Sequence, residues 1–265
     1  MEKNLRRLPL EGLYNARELG GFPTVDGKVT AYGKFVRCEL PRKLTGGDLA
    51  YLKAYGVTRS VDLRGDMEVE RIPSMLRDVD WAVYSHVPMF TRQAAFASQA
   101  EGGAPKPDKY AQHPATAFIE WGQLYVNMLE EYKDWTCRVL DIAAGEQGVM
   151  LYHCTTGKDR TGMLTALLLS IAGVSQDDII ADYCVSQVYM RPVYLELMEL
   201  MPPLYDEEGK PLRPTIDSPF FQTAPENMRT LLDHLNETYG SVEGYIRRCG
   251  VSGDTVARIR AKLTE

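Results

Sequence analysis

Hydrophobic and polar positions along the chain repeat with two periods, one typical of buried strands and one typical of helices. The apolar run Val149–His153 predicts a buried strand. The longer apolar run at 163–172 predicts a helix that ends at Gly173. The β-branched stretch at 58–63 and the run at 81–88 predict two further strands. Strands therefore alternate with helices, as they do in α/β proteins.

Helix signals surround these strands. Thr45 is a predicted N-cap of a helix that runs to Tyr55, and Ser175 opens a helix that reaches at least Met190. An aromatic stripe predicts a helix that starts near Pro114, and a second helical segment follows it to residue 144. The stripe consists of Phe118, Trp121, Tyr125, Met128 and Tyr132. Three more helices are predicted at 226–239, 241–248 and 253–263. We expect a single α/β domain with a mainly parallel sheet flanked by helices.

Two segments lack any periodic pattern. Residues 97–113 are small, polar and proline-rich, and residues 202–225 contain six prolines and an acidic triplet. Loops of this length inside a domain are usually functional or disordered. Both segments are therefore candidates for the rim or lid of an active site. Since neither reads as a linker that divides the chain, residues 1–265 are expected to form one domain.

Composition and charge narrow the classes of partner. The 265 residues carry a formal net charge of −6, and no long Lys/Arg run is present, which argues against a nucleic acid or an anionic membrane as the main partner. No apolar run reaches the length of a membrane span, and the N-terminus does not read as a signal peptide. Five scattered cysteines do not suggest a disulfide framework. We expect a cytoplasmic protein with reduced thiols, with secretion that needs no signal peptide left open; no oligomeric state is indicated.

The predicted strand Val149–His153 leads into a polar loop that starts at Cys154 and reaches Arg160. A strand, a tight loop and a helix N-terminus form a site for anions, because free backbone N–H groups and the helix dipole both favour negative charge. The same surroundings favour the thiolate form of a cysteine, which is the nucleophile. Arg160 offers a planar fork for two phosphoryl oxygens. Gly157 lets the backbone approach the anion without a Cβ.

Other residues of the loop fit the same chemistry, attack of a thiolate on a phosphate monoester. Asp159 is the candidate acid that protonates the leaving oxygen. Thr161 is a candidate donor to the thiolate, and His153 is a candidate support behind the loop. Lys158 adds a charge that favours polyanionic substrates. Asp62, at the end of a predicted strand, is a second candidate acid, and a salt bridge or helix cap is an equally good interpretation of it.

The stretch HCTTGKDRTG at 153–162 resembles the signature loop of the Cys-dependent protein-tyrosine phosphatase superfamily. Its Lys-Asp pair is similar to the bacterial atypical tyrosine/lipid phosphatases of the mycobacterial secreted type. Three weaker resemblances to that family are NARELGG at 15–21, VDLRGDME at 61–68 and YGSVEGYI at 239–246. The resemblance implies a phosphatase-like fold, a segment at 15–21 that packs near the active site, and a substrate cradle that includes Thr155, Thr156 and Gly162. A plain glycine turn is an equally good interpretation of 15–21.

We therefore expect a phosphatase that needs neither a metal nor another cofactor and that works through a phosphocysteine. Its substrates are expected to be phosphotyrosine proteins, with phosphoserine/threonine proteins or phosphoinositides as further possibilities. Two alternatives remain open. An arsenate reductase needs a second thiol, which folding has to bring from Cys137 or Cys184 to Cys154. A catalytically inactive phosphate-binding module is the other, although the cysteine, the arginine and the acid are all present.

Overall fold

The computed structural model describes residues 6–90, 120–194, 196, 204–205, 210–212 and 221–265. Its main sheet has five strands in the order β1-β2-β5-β3-β4. These strands are β1 (Arg17–Glu18), β2 (Phe35–Cys38), β3 (Val57–Asp62), β4 (Val83–His86) and β5 (Val149–His153). Strands β2, β5, β3 and β4 are parallel, and only the edge strand β1 runs antiparallel. The expected α/β fold with a mainly parallel sheet is confirmed.

Strand register brings four chain positions to the same edge of the sheet. Cys38 and Asp62 both pair with His153, and Asp62 also pairs with His86. The carboxyl ends of parallel strands are where α/β proteins bind ligands. The register therefore places the residues that follow β5, beginning with Cys154, at the functional edge of the sheet.

Nine α-helices surround the sheet in the described part of the chain. They are α1 (Gly46–Tyr55), α2 (Asp66–Arg71), α3 (Trp121–Glu131), α4 (Lys133–Gly145), α5 (Asp159–Ile171), α6 (Gln176–Met190), α7 (Pro225–Tyr239), α8 (Val242–Arg248) and α9 (Gly253–Thr264). Thr45 caps α1 through a capping box with Asp48, as its sequence predicts. Ser175 accepts a hydrogen bond from the backbone of Asp178 at the start of α6. Within these same residues, no helix is both long and apolar enough to cross a bilayer.

The two faces of the sheet are covered by apolar clusters of different size. Alternate residues of β5 divide between them: Met150 and Tyr152 enter the larger cluster, and Val149 and Leu151 enter the smaller one. The larger cluster contains the central helix α5, in which ten residues are buried. Helices α7, α8 and α9 also pack into it. Helix α5 is thus held on all sides, which fixes the position of its N-terminus at the functional edge.

Most elements lie where the pattern of the sequence predicts them, within one or two residues. The fourth strand is shorter than expected, because only Val83–His86 pairs within the predicted run at 81–88. The segment 97–113 and the first part of the helix predicted from Pro114 lie outside the described residues. Within 202–225, the described part includes two short strands, β6 (Leu204–Tyr205) and β7 (Pro211–Leu212), which pair antiparallel with each other.

Candidate active site

The loop at 154–158 joins β5 to the N-terminus of α5 and is almost completely buried at Cys154 and Lys158. Gly157 has a φ of 65°, a conformation that favours glycine. A Cβ at this position would lie 2.4 Å from the carbonyl oxygen of Cys38. The glycine is therefore required because the loop packs against the end of β2. This is a different reason from the predicted approach of the backbone to an anion.

Donors from outside the loop hold three of its carbonyl groups. The oxygen of Thr155 accepts from the backbone N–H of Leu40 at 3.1 Å. The side-chain amide of Asn15 donates to the oxygens of Thr156 and Gly157, at 3.2 Å each. The Arg37 guanidinium also donates to the Gly157 oxygen, at 2.8 Å. All three carbonyl groups are thus drawn away from the inside of the loop.

The direction of these carbonyl groups sets the direction of the loop N–H groups. In a planar trans peptide the C=O and the following N–H point in opposite directions. The N–H groups of Thr156, Gly157 and Lys158 therefore point away from Leu40, Asn15 and Arg37. Together with the N-terminus of α5 they form a set of donors for an anion. Asn15 belongs to the stretch at 15–21, which packs against the loop and also makes a glycine turn, with φ of 87° at Gly21.

Arg160 is oriented by Glu68, a residue to which the sequence analysis gave no role. The two guanidinium nitrogens of Arg160 bond the two carboxylate oxygens of Glu68 at 2.5 and 2.8 Å. The Thr155 hydroxyl donates to the same carboxylate at 2.6 Å. Although burial acts in the opposite direction, the charge of Arg160 lowers the pKa of Glu68 to about 2. Glu68 is the third residue of α2 and accepts from the Gly65 N–H, and this N-cap pattern was its signal in the sequence.

Asp159 is the first residue of α5, and its side chain is 24% exposed. The hydroxyl of Tyr125 donates to its carboxylate, and Tyr125 in turn contacts the hydroxyl of Tyr183 at 2.8 Å. Burial, followed by the charge of Asp159, raises the pKa of Tyr125 well above its ordinary value. Tyr125 therefore remains a hydrogen-bond donor. Asp159 is the candidate acid that the structure leaves partly open to solvent beside the loop.

Lys158 is buried behind the carboxylate of Asp159. Its ammonium lies 3.5 Å from Asp159, 3.5 Å from the backbone oxygen of Gln222 and 4.5 Å from the centre of the Trp121 ring. An amine with these neighbours has local partners of its own. The geometry therefore gives less support than the sequence did to a direct role of Lys158 in reading extra phosphate groups.

Asp62 is fully buried at the end of β3 and is paired with Arg64. The carboxylate accepts from Arg64 at 2.9 and 2.7 Å and from the Tyr84 hydroxyl at 2.9 Å. Burial opposes ionisation, yet the nearby charges of His153 and Arg64 hold the pKa of Asp62 well below its usual range. A buried carboxylate held ionised by a bidentate arginine is a poor proton donor. The geometry thus favours the salt-bridge interpretation of Asp62 over the acid.

His153 is fully buried and directly precedes the loop. Its Nδ1 is 3.2 Å from the carbonyl oxygen of Cys154, and its Nε2 is 3.7 Å from the Asp62 carboxylate. Burial lowers the pKa of His153, while the charge of Asp62 acts in the opposite direction. His153 therefore contacts the backbone of Cys154, while its Nε2 lies beside the Asp62 carboxylate without a hydrogen-bond partner among the described residues.

Thr161 and Gly162, both predicted to belong to the anion site, have different surroundings in the structure. The Thr161 hydroxyl is buried and has no hydrogen-bond partner within the described residues, which leaves it available to a thiolate. Gly162 was expected in the substrate cradle, but its N–H donates to the oxygen of Lys158 inside the helix. A Cβ on Gly162 would lie 3.1 Å from the Tyr183 ring. In the structure Gly162 is used for packing of α5 against α6, and its place in the substrate cradle stays a prediction.

The cysteine beside the loop is Cys38, whereas the two cysteines named for the arsenate reductase alternative lie on helices. Cys137 is on α4, where its thiol contacts Asp141, and Cys184 is on α6. Cys38 pairs in register with His153. Burial and the charges of Glu39 and Cys154 raise the pKa of the Cys38 thiol well above its ordinary value. These surroundings favour the neutral thiol form of Cys38.

Comparisons with known proteins show similarity over most of the chain. A family model described as the tyrosine phosphatase family matches residues 8–265. A tyrosine-protein phosphatase of Nostoc commune is 29% identical over 238 residues, which cover 86% of this chain and 74% of the relative. A putative tyrosine-protein phosphatase of Cupriavidus necator is 27% identical, with 91% and 82% covered. The triple specificity protein phosphatase PtpB of Mycobacterium tuberculosis is 26% identical, with 98% and 99% covered.

Proposed function

The chain belongs to the tyrosine phosphatase family, and from that premise we propose that it hydrolyses phosphate monoesters through a phosphocysteine on Cys154. The observation that carries the proposal is the arrangement of the loop. The N–H groups of three loop peptides point inward, opposite to the carbonyl groups that Leu40, Asn15 and Arg37 hold, and Glu68 bonds both terminal nitrogens of Arg160. A phosphoryl group is an anion that donors of this kind can bind.

The proposed reaction has two steps. In the first, the Cys154 thiolate attacks phosphorus, the bond from phosphorus to the leaving oxygen breaks, and Asp159 gives that oxygen its proton. In the second, water attacks the phosphocysteine, Asp159 takes a proton from the water, and the thiolate leaves. The inward N–H groups and Arg160 stabilise the equatorial oxygens in both steps. The Thr161 hydroxyl stabilises the thiolate as it leaves.

We propose phosphotyrosine proteins as the main substrates. The family and the names of the relatives support this class, and the name of the mycobacterial relative prompts a test of further substrates. Phosphoinositides form the second arm of that test. Since Lys158 has local partners, Lys158→Ala is expected to lower activity on a phosphotyrosine peptide and on a phosphoinositide by similar factors. A selective loss on the phosphoinositide would restore the substrate-reading role of Lys158.

We further propose that the chain functions as one domain. Helices α7–α9 share an apolar cluster with α5 and the sheet, and the family model spans residues 8–265. A single cooperative unfolding transition, seen alike by far-UV and near-UV circular dichroism, is expected. The role of 97–113 and 202–225 at the rim, and the cytoplasmic location, stay predictions of the sequence.

Phosphate release from a simple aryl phosphate tests the proposed function. We expect the wild type to hydrolyse the substrate at the same rate with and without a metal chelator. We expect Cys154→Ser to release no phosphate. The serine variant is still expected to bind vanadate, because the donors that hold the anion are separate from the nucleophile. Arg160→Ala serves as the matched control, since it is expected to lose the thermal stabilisation by vanadate. Substantial turnover by pure Cys154→Ser would remove Cys154 from the reaction, and no turnover by the wild type would leave a phosphate-binding module.

A further inference from the structure

A buried carboxylate on α6 lies behind the loop and binds three arginines. Asp182 accepts from Arg6 at 2.6 Å, from Arg17 at 2.9 Å and from Arg37 at 2.6 Å. The side chains of Asp182, Arg17 and Arg37 are almost completely buried, whereas Arg6 is 39% exposed. Although burial opposes it, the charges of Arg17 and Arg37 hold the pKa of Asp182 well below its usual range. The centre of this cluster is therefore an ionised carboxylate.

The first connection from Asp182 to the loop passes through Arg37. One guanidinium nitrogen of Arg37 bonds Asp182, and the other donates to the carbonyl oxygen of Gly157 at 2.8 Å. Because the guanidinium is planar and rigid, fixing one nitrogen fixes the direction of the other. Asp182 thus sets the angle at which Arg37 draws the Gly157 carbonyl outward.

The second connection passes through Arg17 and Asn15. Arg17 bonds Asp182 and also donates to the side-chain oxygen of Asn15 at 2.5 Å. Since a guanidinium has donors only, the oxygen of the Asn15 amide must face Arg17 and its NH₂ must face the other way. That NH₂ donates to the oxygens of Thr156 and Gly157. Asp182 therefore also fixes the orientation of the Asn15 amide.

Ser186, one helical turn after Asp182, supports the cluster from the same side. Its hydroxyl accepts from Arg17 at 3.0 Å and from Arg37 at 3.5 Å. The two guanidinium groups are close enough that Arg17 contributes, after burial, to lowering the pKa of Arg37. The two guanidinium groups repel each other, and an anionic neighbour offsets that repulsion. Asp182 supplies that charge.

We propose that Asp182 is a positioning residue that keeps the N–H groups of Gly157 and Lys158 directed toward the bound phosphoryl group. It does so through Arg37 and through Arg17 and Asn15, which hold the carbonyl groups of the same two peptides. The proposal rests on the proposed function of the loop as a phosphate cradle. Donors that are fixed before the reaction are worth more than donors that must reorient during it. Loss of Asp182 is therefore expected to weaken stabilisation of the transition state, in addition to any effect on the stability of the fold.

The test compares three variants of the full chain. Asn15→Ala removes the amide that holds two loop carbonyls, and Asp182→Asn removes the charge behind it. Arg6→Ala is the matched control, because Arg6 bonds the same carboxylate but otherwise lies over the Phe22 ring, at 3.8 Å. For each variant, we measure the vanadate dissociation constant, kcat and KM on an aryl phosphate, and the unfolding midpoint without an anion.

We expect Asn15→Ala to bind vanadate roughly tenfold more weakly and to lose about tenfold in kcat, with a smaller change in KM. Asp182→Asn is expected to show the same pattern with a larger loss, and Arg6→Ala to stay within about twofold of the wild type. A purely structural role would lower the unfolding midpoint and leave the vanadate affinity of the folded protein unchanged. Because Asn15 is uncharged, Asn15→Ala decides the question even where Asp182→Asn does not fold.

The proposal is overturned if folded Asn15→Ala binds vanadate as tightly as Arg6→Ala and keeps its kcat. It is overturned equally if folded Asp182→Asn binds vanadate as tightly as Arg6→Ala and keeps its kcat, since the carboxylate would then not act on the loop contacts. Failure of the proposed function gives a different result. A wild type that binds vanadate but releases no phosphate removes the enzyme function, while the vanadate affinities of the variants still decide the role of Asp182.

Discussion

Two carboxylates flank the loop of Cys154, Asp62 at the end of β3 and Asp159 at the start of α5, and their surroundings differ. Asp62 is fully buried, and a bidentate arginine and a tyrosine hydroxyl occupy its oxygens. Asp159 is partly exposed, receives a hydrogen bond from Tyr125 and faces Lys158 at 3.5 Å. The hydrogen-bond partners of the two carboxylates thus distinguish their roles more clearly than their positions next to the loop do. The first carboxylate is suited to hold structure, and the second to exchange a proton with substrate.

Asp159→Asn is expected to have the largest effect on activity. A poor leaving group needs a proton, whereas an activated phenolate hardly does. We expect about a 100-fold loss in kcat on an alkyl phosphate and less than about a tenfold loss on an activated aryl phosphate. Steady-state kinetics over a series of leaving groups measures this, and the alkaline limb of the pH–rate profile is expected to flatten. Equal losses across the series would break the assignment of Asp159.

Asp62→Asn is expected to act on stability. Removal of one partner of a buried ion pair leaves Arg64 uncompensated, so the free energy of unfolding should fall by about 3 kcal/mol. Activity per folded molecule should fall only a fewfold, by the same factor for every leaving group. Urea unfolding and the same substrate series measure the two effects. The control is Glu146→Gln, which breaks the half-buried pair with Arg59 at the other end of the sheet and should cost about 1 kcal/mol. A leaving-group dependence in Asp62→Asn would transfer the acid role to it.

The dependence of unfolding on pH tests the ionised state of Asp62, because that state depends on its pKa. Its pKa in the folded protein lies below the unfolded value, so it adds stability above about pH 4 that is lost as the pH falls further. His153, whose pKa burial lowers, adds a loss of stability that begins below about pH 6.5. Urea unfolding of Asp62→Asn should therefore show a flatter decline below pH 4 than the wild type. Parallel declines in the two proteins would contradict the ionised state of Asp62.

The smallest effect is expected from Tyr125→Phe, which removes the hydroxyl that holds Asp159. Loss of one hydrogen bond to a charged group should lower kcat on an alkyl phosphate about fivefold and leave the aryl phosphate almost unchanged. Tyr183→Phe is the matched control, since the Tyr183 hydroxyl contacts that of Tyr125 and makes no hydrogen bond to Asp159 within the described residues. A larger loss of kcat in Tyr183→Phe than in Tyr125→Phe would contradict the role of Tyr125 in holding Asp159.

The loop and its two flanking elements could be predicted because their signals are local. An apolar strand, a glycine in the loop and an apolar helix lie within 26 consecutive residues, from Gly148 to Gly173. The helix caps at Thr45 and Ser175 are equally local, since each involves a residue three positions away. Such patterns report burial and backbone conformation directly.

The partners of the loop could not be predicted, because the chain brings them from far away. Asn15 lies 141 residues before Thr156, and Arg37 lies 120 residues before Gly157. Charged residues such as Arg37 and Asp182 normally indicate a solvated face, yet here both are buried against each other. Glu68 lies in the stretch at 61–68 that resembles the phosphatase family, but no partner for it could be read from the sequence. A single sequence shows which residues are charged but not which opposite charge the fold supplies.

The central claim is that Cys154 carries the phosphoryl group between the two steps, and a rapid-quench experiment tests it most directly. Wild-type protein is mixed with an activated aryl phosphate, which makes the first step fast, and is quenched in acid within the first turnover. We use Asp159→Asn in parallel, because slower attack by water should increase the trapped fraction. We expect one phosphoryl group on the peptide that contains Cys154 in the wild type and none on that peptide in Cys154→Ser. Full turnover with phosphate found on another residue, or on none in either protein, would contradict it.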